Sequence, residues 1–208
     1  MTMKPNITAK KDINNSKSIS VNQKNDIEQA VEDAFRMAHR VANDMEDIWR
    51  QQRPARHRKR QGAWGRNARF VKWFGDKVLS RKQIKSTRRR IHSIRNRLNK
   101  KKLRFVIIQQ QSGNRSWGCS NGSNTTNAYM RPHRKAIFLC PNWFSNSRKK
   151  RAAIIIHELM HQHPYGLPFG RVHFQAIDDD TAETTAQTNP RKARKSPENY
   201  EHLYEQYF

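Results

Sequence analysis

His157, Glu158 and His161 stand in the order His-Glu-x-x-His within a chain of 208 residues. On a helix, residues i and i+4 share one face, so two such imidazoles can reach a single ion at ~2.0–2.1 Å. The glutamate between them is placed to take a proton from a metal-activated water. The chemistry indicated is zinc-assisted hydrolysis, with His157 and His161 as ligands and Glu158 as general base. Three fixed letters recur by chance in roughly a few per cent of chains this size, so the pattern needs context. Ala152, Ile155, Ile156 and Leu159 form an apolar stripe that would hold this helix against a core. The stretch begins basic and is stopped by Pro164, which bounds a helix over 148–163. The competing reading is an amphipathic helix whose His and Glu face solvent.

A hydrolytic zinc centre needs a third protein ligand and an open fourth position. The extended signature with a Gly and a His three and six residues past the second His is excluded, because Pro164 and Leu167 stand there. The downstream candidates are His163, His173, Asp178, Asp179 and Asp180. His163 lies two residues past His161 and turns away from the pair on a helix. The Asp run also suits a helix N-terminus, or a carboxylate that orients a ligand His.

The elements that must position these residues follow from periodicity. Ile27, Ala30, Val31, Ala34, Met37, Ala38, Val41, Met45 and Ile48 recur every three or four residues and predict a helix over 26–50, with Asp26 as N-cap. Residues 51–63 read as a basic connector, and 70–75 as an aromatic cluster closed by Gly75. Ile84, Ile91, Ile94 and Leu98 give a narrow seam on a second helix, 81–102. Strands are expected at 103–109 and 136–140, the latter ended by Pro141, with loop over 112–128. Further helices are expected at 178–188 and 197–207. Residues 1–25, rich in Asn, Ser and Lys, read as a disordered extension, which leaves one domain at 26–208. Helices, a small sheet, then helices make an α+β fold.

Composition narrows the function classes. There are 42 Lys+Arg against 17 Asp+Glu, a net charge of +25. The longest purely apolar run, 152–156, is far short of the ~20 residues of a membrane span. No 20–50-residue repeat is visible, which argues against a solenoid. Basic residues crowd 53–60 and 81–104, so contact with an anionic surface or non-specific contact with nucleic acid is conceivable. No zinc finger or other sequence-reading motif accompanies them. The N-terminus has no apolar segment or cleavage site of a secretory signal. Cys119 and Cys140 are compatible with one disulfide or with two buried thiols.

Five places in order resemble the deuterolysin-like, or aspzincin, zinc metalloendopeptidases. They are the helix 27–48; Phe70-Val71-Lys72-Trp73-Phe74-Gly75 before a long helix; Cys119…Ala128-Tyr129…Ile137-Phe138-Leu139-Cys140-Pro141; the HELMH of 157–161; and Asn189-Pro190…Ala193…Ser196-Pro197-Glu198-Asn199-Tyr200-Glu201. The resemblance spans roughly 27–208. It implies a mostly helical, zincin-like metalloprotease domain with a small β-sheet, bound Zn2+, and a peptide or protein substrate. It implies a Cys119–Cys140 disulfide and hence an oxidising final location. Where the family carries its Asp ligand in a Gly-Thr-x-Asp-x-x-Tyr-Gly stretch, this chain has Gly170 and then His173. The resemblance thus makes His173 the expected third ligand, with Asp178 as the rival. Ala176 occupies the position of the family's transition-state Tyr, leaving Tyr165 and Arg171 as candidates. Glu198 and Glu201 fall on the two carboxylates that bind a substrate Lys in the lysine-preferring branch.

The resulting expectation is a monomeric zinc endopeptidase, a secreted effector or toxin delivered outside the producing cell by a signal-peptide-independent route, with an immunity or inhibitor protein as a further partner. A cytoplasmic location is the alternative. The other function class is a basic nucleic-acid- or anionic-surface-binding protein with a non-catalytic HExxH helix.

Overall fold

The computed structural model describes residues 6–10, 19–51, 57–76, 79–99, 103–108, 119, 127–130, 136–161 and 181–208. The longest helix, α1 (Val21–Arg50), starts five residues before the expected position. The Ser20 hydroxyl accepts from the Gln23 backbone N–H at 3.1 Å, and the Gln23 side chain accepts from the Ser20 N–H at 3.2 Å. This reciprocal capping satisfies two donors that the first turn leaves open. Asp26, expected as the cap, instead pairs with Arg151 at 2.9 Å. Ile27, Ala30, Val31, Ala34, Met37, Ala38, Val41, Ala42, Met45 and Ile48 are buried as one stripe, as the periodicity predicts.

Residues 57–63, read as part of a connector, instead belong to a short helix, α2 (His57–Arg66). Ala63 and Trp64 are buried and tie it to the core. Asn67 caps the next helix, α3 (Ala68–Phe74), by accepting from the Phe70 N–H at 3.2 Å. Trp64, Phe70 and Phe74 then pack with ring centroids 5.1 to 6.2 Å apart. Gly75 ends α3 at φ +64°. A Cβ there would lie 2.0 Å from the Ala186 carbonyl oxygen and 2.8 Å from Pro190 Cγ. Gly75→Ala is therefore expected to cost roughly 2–4 kcal/mol through the left-handed backbone and the overlap together. Thermal unfolding of the purified variant checks this, and an unchanged Tm would contradict it.

The second long helix, α4 (Arg81–Asn99), buries Ile84, Thr87, Ile91, Ile94 and Leu98. It packs on α1. A four-stranded sheet follows, formed by β1 (Asn6–Lys10), β2 (Arg104–Ile108), β3 (Ala128–Met130) and β4 (Ala136–Leu139) in the order β1-β2-β4-β3. β1 and β4 run parallel to β2, while β3 is antiparallel to β4. Asn6 pairs with Arg104 and Arg104 with Ala136. The boundary expected at 25/26 is thus corrected at two places, because Asn6–Lys10 joins the sheet and α1 begins at Val21. β1 reads Asn-Ile-Thr-Ala-Lys and is held at an edge by backbone pairing, which leaves little apolar pattern in the sequence. Pro141 ends β4 and opens the short helix α5 (Pro141–Ser145) from its first turn.

The helix carrying the HExxH pattern is α6 (Arg148–His161). Ala152 to Ile156, Glu158, Leu159 and Met160 are all buried, since α6 packs against α1, α4, β3 and the C-terminal helix α9 (Pro197–Glu205). Its start is fixed by Arg148, whose Nη2 meets Oδ1 of buried Asp33 at 2.8 Å. Near its end, Arg97 Nη1 donates to the Leu159 carbonyl oxygen at 3.0 Å. A cation there suits the negative pole of the helix. Between α6 and α9 lie α7 (Ala182–Thr188) and α8 (Pro190–Ala193), the latter capped by the Asn189 side chain. Asn199, fully buried, donates from Nδ2 to the Trp73 and Ala182 carbonyl oxygens at 2.8 Å each. That side chain locks α9 to α3 and α7. Among the described residues, no helix is long and apolar enough to cross a membrane.

Candidate metal centre

Helical spacing brings His157 and His161 onto one face at the open end of α6. Their Nε2 atoms are 3.1 Å apart. Two ligands of one tetrahedral zinc, at ~2.0–2.1 Å bond length, stand roughly 3.3 Å apart, so the pair already has the spacing such an ion needs. The donor atoms of His157, Glu158 and His161 all lie within 4.8 Å of one another. Glu158 is buried, and its Oε2 has no hydrogen-bond partner among the described residues. A buried carboxylate oxygen is costly in that state unless something supplies a proton or a donor. A water beside an ion at the two imidazoles would do so, and the residues present therefore fit zinc.

α9 delivers a second layer. Its residues Glu198, Glu201 and Glu205 recur every three or four positions and share a face. Glu198 and Glu201 are buried. Glu201 Oε2 is 2.9 Å from His157 Nδ1, and Glu198 Oε1 is 4.0 Å from His157 Nε2. The Ser196 hydroxyl donates to Glu198 Oε2. Lys150, two turns before His157 on the same face of α6, sets its Nζ 2.9 Å from Glu201 Oε1 and 3.8 Å from Glu205 Oε1.

This cluster sets the protonation of the metal-free site. Burial pushes His157 down, but the bond to Glu201 and the charges of Glu158, Glu201 and Glu198 outweigh it and carry its pKa up to about 9. Burial, joined by the charges on Glu201 and Glu198, lifts Glu158 to about 7 against the opposing pull of His157. His161 is pulled down to about 4 by loss of water on its inner side and by the charge on His157. Burial also pushes Glu201 up, yet His157 and Lys150 hold its carboxyl below the usual range. Among the described residues the cluster gathers four acids, Glu158, Glu198, Glu201 and Glu205, against the two cations His157 and Lys150, a field that favours an added cation.

Among the described residues, five of those singled out from the sequence come together. His157, Glu158 and His161 converge, and Glu198 and Glu201 come beside them. Cys119 and Cys140 are joined in a disulfide with Cα atoms 5.7 Å apart. His163, Tyr165, Arg171, His173, Ala176 and the Asp178–Asp180 run lie outside the described residues. Lys150 was not singled out from the sequence as part of the site. Its spacing of seven from His157 is the one sequence sign that it shares the metal face.

A mostly helical α+β fold with a small sheet, and an HExxH helix whose imidazoles converge, have the form of a zinc hydrolase. The aspzincin family model, described as "Lysine-specific metallo-endopeptidase", matches residues 59–205. The chain belongs to the aspzincin family. Among solved structures it is similar to a zinc peptidase from Grifola frondosa, at 16% identity and a TM-score of 0.59, over 90% of this chain and 97% of that one. That likeness concerns the fold. No curated protein matches the chain. Family membership favours the hydrolase over a basic binding protein with a non-catalytic helix.

Proposed function

We propose that the chain hydrolyses peptide bonds with zinc held by His157, His161 and a third ligand, His173, and with Glu158 as general base. The observation that carries this reading is the convergence of the two Nε2 atoms beside a buried Glu158 oxygen that lacks a partner among the described residues. Zinc bound there supplies Lewis acidity and makes an attached water more acidic. The chain's own residues do the rest. Glu158 Oε2 takes a proton from the attacking water and returns it to the leaving amine. In the metal-free chain burial raises its pKa to about 7. The burial of α6 against α1, α4 and α9 fixes the positions of these groups.

Asp178 remains the rival third ligand. Zinc content of His173→Ala and Asp178→Ala decides between them, because only loss of the true ligand strips the ion. His173→Ala is expected to lose at least tenfold in zinc affinity and Asp178→Ala to keep it. The reverse would transfer the role to Asp178. Cleavage of a mixed peptide library, stopped by a chelator and restored by zinc, tests the activity itself.

The site of action proposed is outside the producing cell, as a secreted effector or toxin. The Cys119–Cys140 disulfide supports an oxidising location, and the +25 charge favours encounter with anionic surfaces or acidic proteins. Recovery of active, disulfide-bonded chain from culture medium, rather than from lysed cells, is the expected outcome.

A further inference from the structure

Glu201 is the node at which the two packed helices meet. One carboxylate oxygen faces His157 Nδ1 at 2.9 Å, and the other faces Lys150 Nζ at 2.9 Å. The residue is only 4% exposed. A carboxylate can only accept, so the neutral His157 ring bonded to it carries its proton on Nδ1. That leaves the Nε2 lone pair directed toward His161, which is the tautomer a metal requires. Lys150 in turn holds Glu201 from the opposite side, and its three donors let it lean on Glu205 as well at 3.8 Å.

This arrangement bears on selectivity. The resemblance to the lysine-preferring branch assigns Glu198 and Glu201 to a substrate cation. In this fold, however, Glu201 already has a lysine of its own chain, and its second oxygen is committed to a ligand imidazole. Glu198 is engaged by Ser196 at one oxygen and faces His157 with the other. A cationic substrate side chain would have to compete with Lys150, tethered on the neighbouring helix, for the one Glu201 oxygen that His157 does not take.

Building on the zinc endopeptidase reading, we propose that Glu201 is a positioning residue for His157 and Lys150 its internal counter-ion, so that Glu201 selects no cationic side chain of a substrate.

The test uses full-length wild type, Glu201→Ala, Glu201→Gln and Lys150→Met. Zinc affinity is read by competition with a chromophoric chelator. Selectivity is read as the kcat/KM ratio for two peptides that differ only by Lys or norleucine after the scissile bond. Glu201→Ala is expected to weaken zinc binding 10–100-fold, the usual effect of losing such a partner. Glu201→Gln is expected to recover most of that loss, because its amide oxygen accepts from the same Nδ1–H. The Lys-to-norleucine ratio should stay within about twofold of wild type in Glu201→Gln, because the contact it keeps is to His157. Lys150→Met should weaken zinc binding by less than Glu201→Ala does.

A Glu201→Gln chain whose ratio falls tenfold or more while zinc affinity is unchanged would overturn the proposal, since Glu201 would then read the substrate. Should Glu201→Ala not fold, the glutamine variant decides alone, because it preserves volume. Wild-type zinc affinity in Lys150→Met would overturn the counter-ion role. Failure of the underlying reading looks different: the wild-type chain would bind no zinc and cleave neither peptide.

Discussion

Glu158→Gln is expected to lower peptide hydrolysis by about 10²–10⁴-fold while zinc binding stays within a few-fold of wild type. Glu158 sits on α6 between the two imidazoles. Its neighbours His157 and His161 present nitrogen donors to the ion, whereas Glu158 presents an oxygen that is buried and lacks a partner among the described residues. Glutamine has nearly the same volume, so the packing of α6 is retained. It can still orient a water by hydrogen bonding, but its amide cannot take up a proton in the relevant pH range. A loss confined to kcat, with metal retained, assigns the proton transfer to this side chain. Metal loss equal to the activity loss would instead make Glu158 a ligand. Full activity would remove it from the chemistry.

Zinc affinity is expected to rise steeply with pH. In the metal-free chain His157 holds its proton up to about pH 9. An imidazole must be neutral to bind a metal, so each zinc that binds below that pH displaces one proton from His157. His161, at about 4, is already neutral and releases none. One proton competing with one ion changes the apparent affinity tenfold per pH unit well below that pKa, which makes binding roughly 50-fold weaker at pH 7 than at pH 9. Below about pH 7 the dependence steepens, because Glu158 then carries a proton that an added cation also disfavours. Calorimetric titrations in buffers of different protonation enthalpy count the released proton directly. A pH-independent affinity between 7 and 8.5, with no proton release, would contradict the charge distribution described for the site.

The sequence exposed those parts of the fold that depend on a repeating apolar pattern. Helices α1, α4 and α6 bury the stripes that their spacing predicts, and the short apolar runs at 104–108 and 136–139 pair as neighbouring parallel strands. The His-Glu-x-x-His spacing placed the donors because helical geometry alone relates i to i+4. Other elements escaped because tertiary contacts decide them. β1 has one isoleucine between polar residues and is defined by its pairing with β2. α2 is dominated by Arg and Lys, and the burial of Ala63 and Trp64 favours a helix over the connector that composition suggests. The early start of α1 turned on a capping box at Ser20 and Gln23, while Asp26 was drawn into an ion pair with Arg151. The acid layer behind His157 joins Lys150 to residues about fifty positions later. No local pattern reveals that Glu201 stands between a lysine and an imidazole of its own chain.

His157 and His161 are expected to hold one zinc ion. This is checked by metal analysis of purified wild type and His157→Ala, each equilibrated with zinc at pH 8 and passed over a desalting column. The structure predicts one zinc per wild-type chain and none in His157→Ala, with the variant still folded by circular dichroism. Stoichiometric zinc retained in the folded variant, or a wild-type chain that cleaves peptides without any metal, would contradict it.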